Sequence, residues 1–291
     1  MHRFAARFLS AVAVAAVVFL SPCTSLGITL PDILSITGST VHRWNLDSSS
    51  YIYSQSTGTS LFGDMTRTND GRFVAYRSTY DGKTPALFQV NPTTGAASLL
   101  VESTAGAPHV IALAPMAGSD LLGYDEFLGF VRIDPSTLAY EVVPIEPSNS
   151  AITLSTGAMA TSPSGEIYAW CSGFAAGATS VFSELFKIDP IEGTAQEIGG
   201  YPDLGGTTSF NAMAFSPDGR LFGFTEINAK APLNTNSVYE FDLATGMPTW
   251  VAERSFLSGV RGAAFVPEPG MLALLASLAL AMWGTRFRVR A

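Results

Sequence analysis

A four-place pattern of apolar and polar positions recurs five times along the chain: aromatic or Val, any residue, apolar, then Asp or Asn. The copies are Trp44-Asn45-Leu46-Asp47, Phe88-Gln89-Val90-Asn91, Val131-Arg132-Ile133-Asp134, Phe186-Lys187-Ile188-Asp189 and Tyr239-Glu240-Phe241-Asp242. Their spacings of 44, 43, 55 and 53 residues are those of a propeller blade. Most copies run into Pro-x-Thr-Gly or a relative, as in Pro92-Thr93-Thr94-Gly95 and Leu243-Ala244-Thr245-Gly246. This predicts a turn between two strands, with Gly supplying the positive φ of the reversal.

A second phrase precedes each tetrad: small-Met-Ala-x-Ser-Pro-x-Gly followed by an aromatic strand. It is clearest at Ala158–Gly165 before Ile167-Tyr168-Ala169-Trp170 and at Ala212–Gly219 before Leu221-Phe222-Gly223-Phe224. Weaker copies start at Asp64 and Ile111, and a fragment closes the series at Gly262-Ala263-Ala264-Phe265-Val266-Pro267. Small residues suit a strand lying close to a crowded axis. The final fragment has an innermost strand and nothing after it. Ile33–Ile36, Val41–Leu46 and Tyr51–Gln55 read as the missing three. The expected fold is all-β, a five-bladed β-propeller with four-stranded blades, one of them closed by N- and C-terminal strands. This closure pairs the otherwise exposed edges of the first and last segments. Two stacked sheets with a coincidental repeat are the competing architecture.

Hydropathy at the two ends sets the domain limits. His2, Arg3 and Arg7 precede an apolar run from Phe8 to Leu20 and a small-residue stretch, which predicts a secretory signal peptide over residues 1–27. Leu20-Ser21-Pro22-Cys23 touches the lipoprotein pattern, in which Cys23 would be acylated, although Pro22 fits it poorly. At the other end, Gly270–Thr285 is apolar or small and is followed by Arg286, Arg288 and Arg290. That run is short for a spanning helix, which needs roughly twenty residues, so it predicts a thin or transient span. The arginines direct its end to the cytoplasm and the preceding chain outside. The competing reading, a buried core helix, would require polar residues at helical spacing, and between Met271 and Trp283 only Ser277 is polar.

Pro267-Glu268-Pro269, the apolar run and the basic tail together resemble the bacterial PEP-CTERM sorting signal. The resemblance covers residues 267–291 and implies export, temporary membrane anchoring and processing by an exosortase-type transpeptidase. It also implies a bacterium that makes exopolysaccharide. It says nothing about an activity.

Without the two end segments the chain keeps 11 basic against 23 acidic side chains, a balance of about −12 that makes nucleic acid an unfavourable partner. Cys171 is then the one cysteine, so no intramolecular disulfide is expected. The segment Ile28–Val266 is long enough for one large all-β domain with its own core.

Residues that carry chemistry are sparse. His42 and His109 lie more than one repeat apart, with no metal-ligand spacing, so no metal or cofactor is expected. No nucleophile elbow and no phosphate-cradling loop is present. Cys171 ends an aromatic strand and reads as a small buried hydrophobe. Asp47, Asp134, Asp189 and Asp242 recur with the fold and read as turn carboxylates, as do Asp70-Gly71 and Asp218-Gly219. The likeness of these turns to a sialidase Asp-box stops where its Trp is missing.

Variation between repeats is the better guide to a ligand. Insertions at Ser172–Ser180 and Ile227–Asn236, with links at Glu146–Ser155 and Tyr201–Ser209, are expected on one face of the propeller. Phe174, Tyr201 and Phe210 as stacking surfaces, with Asn234 and Asn236 as neutral hydrogen-bonding groups, form the candidate ligand set, a mix suited to sugars. The expected function is a non-enzymatic binding or structural propeller at the cell surface or in the extracellular matrix. The alternatives are a secreted hydrolase or lyase using carboxylates in the central channel, and a lipoprotein held through Cys23.

Overall fold

The tetrads and the small-residue phrases fall in different strands of the same antiparallel sheets. The structure is a computed structural model, and the residues it describes are 32–48, 50–59, 62–78, 83–103, 106–148, 154–174, 181–201, 210–225, 236–254 and 259–267. The signal-peptide segment with Cys23, and the sorting signal beyond Pro267, lie outside the described residues.

The strands, numbered along the chain, form five sheets. Blade 1 is shared between the ends and contains β1 (Ile33–Thr37), β2 (Thr40–Trp44) and β3 (Tyr51–Ser56), with β21 (Val260–Phe265) inside β1. Blade 2 is β4 (Phe62–Arg67), β5 (Phe73–Arg77), β6 (Ala86–Val90) and β7 (Ala97–Glu102). Blade 3 is β8 (Val110–Pro115), β9 (Leu121–Asp125), β10 (Gly129–Ile133) and β11 (Tyr140–Val142). Blade 4 is β13 (Ser155–Thr161), β14 (Ile167–Phe174), β15 (Val181–Asp189) and β16 (Thr194–Tyr201), with the two-residue strand β12 (Glu146–Pro147) parallel to β16 on its outer edge. Blade 5 is β17 (Phe210–Phe215), β18 (Leu221–Thr225), β19 (Ser237–Phe241) and β20 (Pro248–Glu253). Strands β4, β8, β13, β17 and β21 lie against one another in a ring. The fold is therefore a five-bladed β-propeller with four-stranded blades, and the C-terminal strand closes it: Phe265 pairs with Ile33, Ala264 with Leu34, and the Val266 N–H donates to the Asp32 carbonyl at 2.7 Å.

Because a strand shows its two faces alternately, each blade packs one set of side chains on the blade before it and another on the blade after it. Met65, Phe73 and Phe88 of blade 2 meet Leu34, Ile36 and Ala264 of blade 1, whereas Val74, Tyr76 and Leu87 meet Val110, Leu113 and Ile133 of blade 3. Blades 4 and 5 share Trp170, Leu185, Phe210, Met213 and Phe241. The ring closes through Trp44 of blade 1, set edge-on to Phe224 of blade 5 at 6.0 Å between centroids. Each such large apolar side chain stabilises the fold by about 1.5–3 kcal/mol when fully buried.

Three sequence expectations change in detail. Trp44 ends β2, so the tetrad in blade 1 is two residues out of register. Asn45, not Asp47, is its turn-capping residue, with its Oδ1 accepting the N–H groups of Asp47 and Ser48 at 2.9 and 3.1 Å. Asn91 makes the same two bonds to Thr93 and Thr94. Residues 172–174, read as the start of an insertion, instead continue β14 opposite residues 181–183. The link after blade 3 is partly ordered as β12.

Candidate functional site

Alternation of antiparallel strands sorts the connections onto two faces. The turns after the first and third strands of each blade lie on one, here the turn face, and the remaining connections lie on the other. Asp134, Asp189 and Asp242 cap turns there, as expected: the Oδ1 of Asp189 accepts from the Ile191 and Glu192 N–H groups, and that of Asp242 from Ala244. Gly219, at φ +88, completes the Ser-Pro-x-Gly reversal by donating to the Ser216 carbonyl.

Of the predicted ligand residues, Phe210 and Asn236 are described with their side chains. Phe210 is fully buried, edge-on to Trp170 at 5.1 Å and 4.9 Å from Phe241, so it is a core residue with no face open to a ligand. Its apolar surface is the reason: in β17 it fills the wedge between two blades. Phe174 and Tyr201 end β14 and β16, and their side chains lie outside what is described. Asn234 is outside the described residues. Asn236 sits at φ +52, a left-handed position that Asn tolerates, and its carbonyl accepts the Arg254 N–H at 2.8 Å.

The geometry instead builds a cavity on the turn face, where the innermost strands end around the axis. Its volume is about 380 Å³. Its apolar lining is Ala160 of β13, Met213, Ala214 and Phe215 of β17, and Ala263, Ala264 and Phe265 of β21, all near the ends of the innermost strands. The rim carries Thr68, Asn69, Thr161, Ser216 and Arg67, and none of the lining residues is acidic. Blade-to-blade bonds hold this rim. The Asn69 Nδ2 donates to the Met116 and Gly118 carbonyls at 2.6 and 3.1 Å, and the Thr161 hydroxyl donates to the Pro115 carbonyl at 2.6 Å.

Around the mouth each blade carries an ion pair: Arg43–Asp32, Arg72–Asp70, Arg132–Asp120, Lys187–Glu166 and Arg220–Glu240. The Lys187 ammonium holds the Glu166 carboxyl below its usual range, and the Thr68 hydroxyl, followed by groups of Arg72, does so for Asp70. These pairs range from largely covered, at Arg43–Asp32, to half-exposed, and pairs at a protein surface stabilise a fold little.

Deeper in the ring lies a residue that the chemical survey of the sequence did not single out. Asp64 is 2% exposed, and its two oxygens accept the N–H of Met65 and the N–H of Leu113 on the next blade, both at 2.6 Å. An alanine at Gly262 would put its Cβ 2.2 Å from the Met65 nitrogen and 2.6 Å from the Asp64 Oδ1, so the closing strand needs glycine to approach. Asp64 thus ties β4 to β8, with Gly262 of β21 packed close beside it. Burial lifts its carboxyl well above the usual carboxylate range, against the two amide bonds, which favour the charged form. The aligned positions elsewhere are Ala112, Ala158, Ala212 and Gly262. One charged residue in a column of small ones is the signal that marks it.

The remaining titratable cluster is peripheral. Glu184 on β15 and Glu197 on β16 lie on the same side of blade 4. Partial burial, reinforced by the Glu197 charge and a hydrogen bond between the two carboxyls, pushes Glu184 up to about 7. Among the described residues no three His, Cys, Asp or Glu side chains come together as a metal site. Cys171 is buried in the layer between blades 3 and 4, and burial raises its thiol.

No family model and no curated protein matches the chain. Among solved structures the chain is similar to TolB from Acinetobacter baumannii, at 13% identity and a TM-score of 0.44, over 82% of this chain and 67% of that one. It is also similar to a chain of a nidogen/laminin complex (11% identity, TM-score 0.44, 80% of this chain and 97% of that one). A candidate 6-phosphogluconolactonase from Bacteroides fragilis gives 12% identity and a TM-score of 0.44, over 84% and 99% of the two chains. Similarities this distant carry no argument about function.

Proposed function

We propose that the chain is an exported, non-enzymatic binding propeller, sorted through its PEP-CTERM signal by an exosortase-type enzyme and displayed at the cell surface or in the exopolysaccharide matrix. The observation that carries the binding role is the turn-face cavity, whose lining is apolar or neutral except for Arg67. A carboxylate-based mechanism would need acids converging there. The channel carboxylate, Asp64, is instead engaged by two backbone amides.

The sorting role rests on the Pro267-Glu268-Pro269 triplet and the basic tail. The Asp32 carbonyl and the Val266 N–H meet on the turn face, so the membrane-directed segment departs there. Replacement of Glu268 by Gln tests the sorting role: accumulation of the unprocessed form supports it, and processing at the parental rate overturns it.

A second reading, a secreted hydrolase or lyase acting on polysaccharide, is favoured by one observation. On blade 4 Glu184 and Glu197 face the same side, and partial burial with the Glu197 charge pushes the Glu184 carboxyl up to about 7, the range suited to general acid–base work.

A further inference from the structure

We infer that the turn-face cavity recognises an acidic sugar, a uronic-acid-type residue, with Arg67 taking its carboxylate. This rests on the binding role proposed above and names the ligand chemistry of that site.

The inference starts from charge. In a chain with 24 acidic and 16 basic side chains, a cavity of about 380 Å³ with one cation and no acid in its lining departs from the surface average. Every blade has a cation paired to a carboxylate on this face, yet Arg67, at the end of β4, pairs with none of them. Its guanidinium lies along the following turn, where a Cβ on Gly71 would sit 3.4 Å from its Nη2. An exposed arginine lining the cavity without a carboxylate of its own presents a planar fork of donors suited to a ligand carboxylate.

The neutral rim completes the assignment. Both Nδ2 hydrogens of Asn69 and the hydroxyl hydrogen of Thr161 are already donated to carbonyls of blade 3. The one hydroxyl hydrogen of Ser216 is shared between Asp218 and the Arg220 carbonyl, while its oxygen already accepts the Arg220 N–H, and the hydroxyl hydrogen of Thr68 is shared between Asp70 and the Arg72 carbonyl. What Asn69, Thr161 and Thr68 offer a ligand is therefore acceptor oxygens, while Arg67 offers donors. A molecule rich in hydroxyl donors with a single carboxylate acceptor has the complementary set. The volume, near the lower end of small-molecule sites of roughly 300–1,000 Å³, suits a sugar residue or two at a chain end.

The test is calorimetric titration of the full chain in detergent with two probes, a galacturonic acid trimer and the neutral galactose trimer, on the parent and on Arg67→Gln. The expected result is acid binding about ten-fold or more tighter than neutral binding, weakened by added salt. Arg67→Gln should lose that preference while keeping its melting temperature. Parental affinity of Arg67→Gln for the acidic trimer, or equal affinity of the parent for both trimers, overturns the assignment but leaves a neutral-sugar-binding propeller intact. Binding of neither trimer at millimolar concentration overturns both.

Discussion

Replacing Asp64 by Ala removes the acceptor of two amides on neighbouring innermost strands. Both bonds are 2.6 Å, and the site is 2% exposed, so the Met65 and Leu113 N–H groups lose partners that solvent does not readily replace. A buried amide left without a partner costs about 1–3 kcal/mol, which puts the loss for two at about 2–6 kcal/mol. Water entering the emptied space, and relief from burying a carboxyl, pull toward the lower end. Asp64→Asn keeps one acceptor and sets an NH₂ against the other amide, so about 1–3 kcal/mol is expected. Urea unfolding followed by fluorescence of the buried Trp44 and Trp170 reads both. The pH dependence gives a second check. Because the folded carboxyl is raised, its contribution is fully present below the unfolded pKa and is lost as pH rises through the folded one. The gap between the parent and Asp64→Asn should then be widest in acid and should narrow as pH rises. An Asp64→Ala variant within about 0.5 kcal/mol of the parent, or a gap that widens with pH, would refute the reasoning: the first by showing the amides are satisfied otherwise, the second by showing that the amide bonds outweigh burial.

Gly262→Ala should destabilise the propeller and expose the edge of β1, because its Cβ meets the Met65 nitrogen at 2.2 Å; amide exchange in Ile33–Thr37 at the parental rate would count against closure through β21. Phe210→Ala should cost about 3–5 kcal/mol in urea unfolding as a core cavity, and a loss below about 1 kcal/mol would return this side chain to the ligand face. Parent stability should fall between about pH 4.5 and 7 as Glu184 ionises, since its raised pKa makes the protonated form the better-folded one. Glu184→Gln should flatten that part of the melting-temperature profile, and an unchanged profile would remove the pair from consideration.

Strand order and the shared blade were legible in the sequence because two turn chemistries repeat in fixed alternation. Asx turns such as Asn91 and Asp189 end the third strand, and Ser-x-x-Gly turns such as Ser216 to Gly219 end the first. The register at Trp44 was misread because Asn and Asp cap such turns equally well, and Leu46-Asp47 imitates the apolar-acid ending two residues late. Phe210 shows a different limit. A large aromatic at the end of a long link has the sequence appearance of a ligand platform, and only its partners Trp170, Tyr239 and Phe241 identify it as core. Asp64 and Arg67 stand in the weakest copy of the small-residue phrase. There Asp64 breaks a column of small residues, a signal that needs the blades aligned strand by strand before it can be seen.

Binding without turnover is tested most directly by incubating the purified chain with an acidic polysaccharide and measuring, in the same sample, the polymer retained by the protein and the reducing or unsaturated ends released. Retention of intact polymer, reduced in Arg67→Gln and unaffected in Glu184→Gln, with no new ends formed, is the predicted result. New chain ends that accumulate with time and disappear in Glu184→Gln would contradict it and establish the catalytic reading instead.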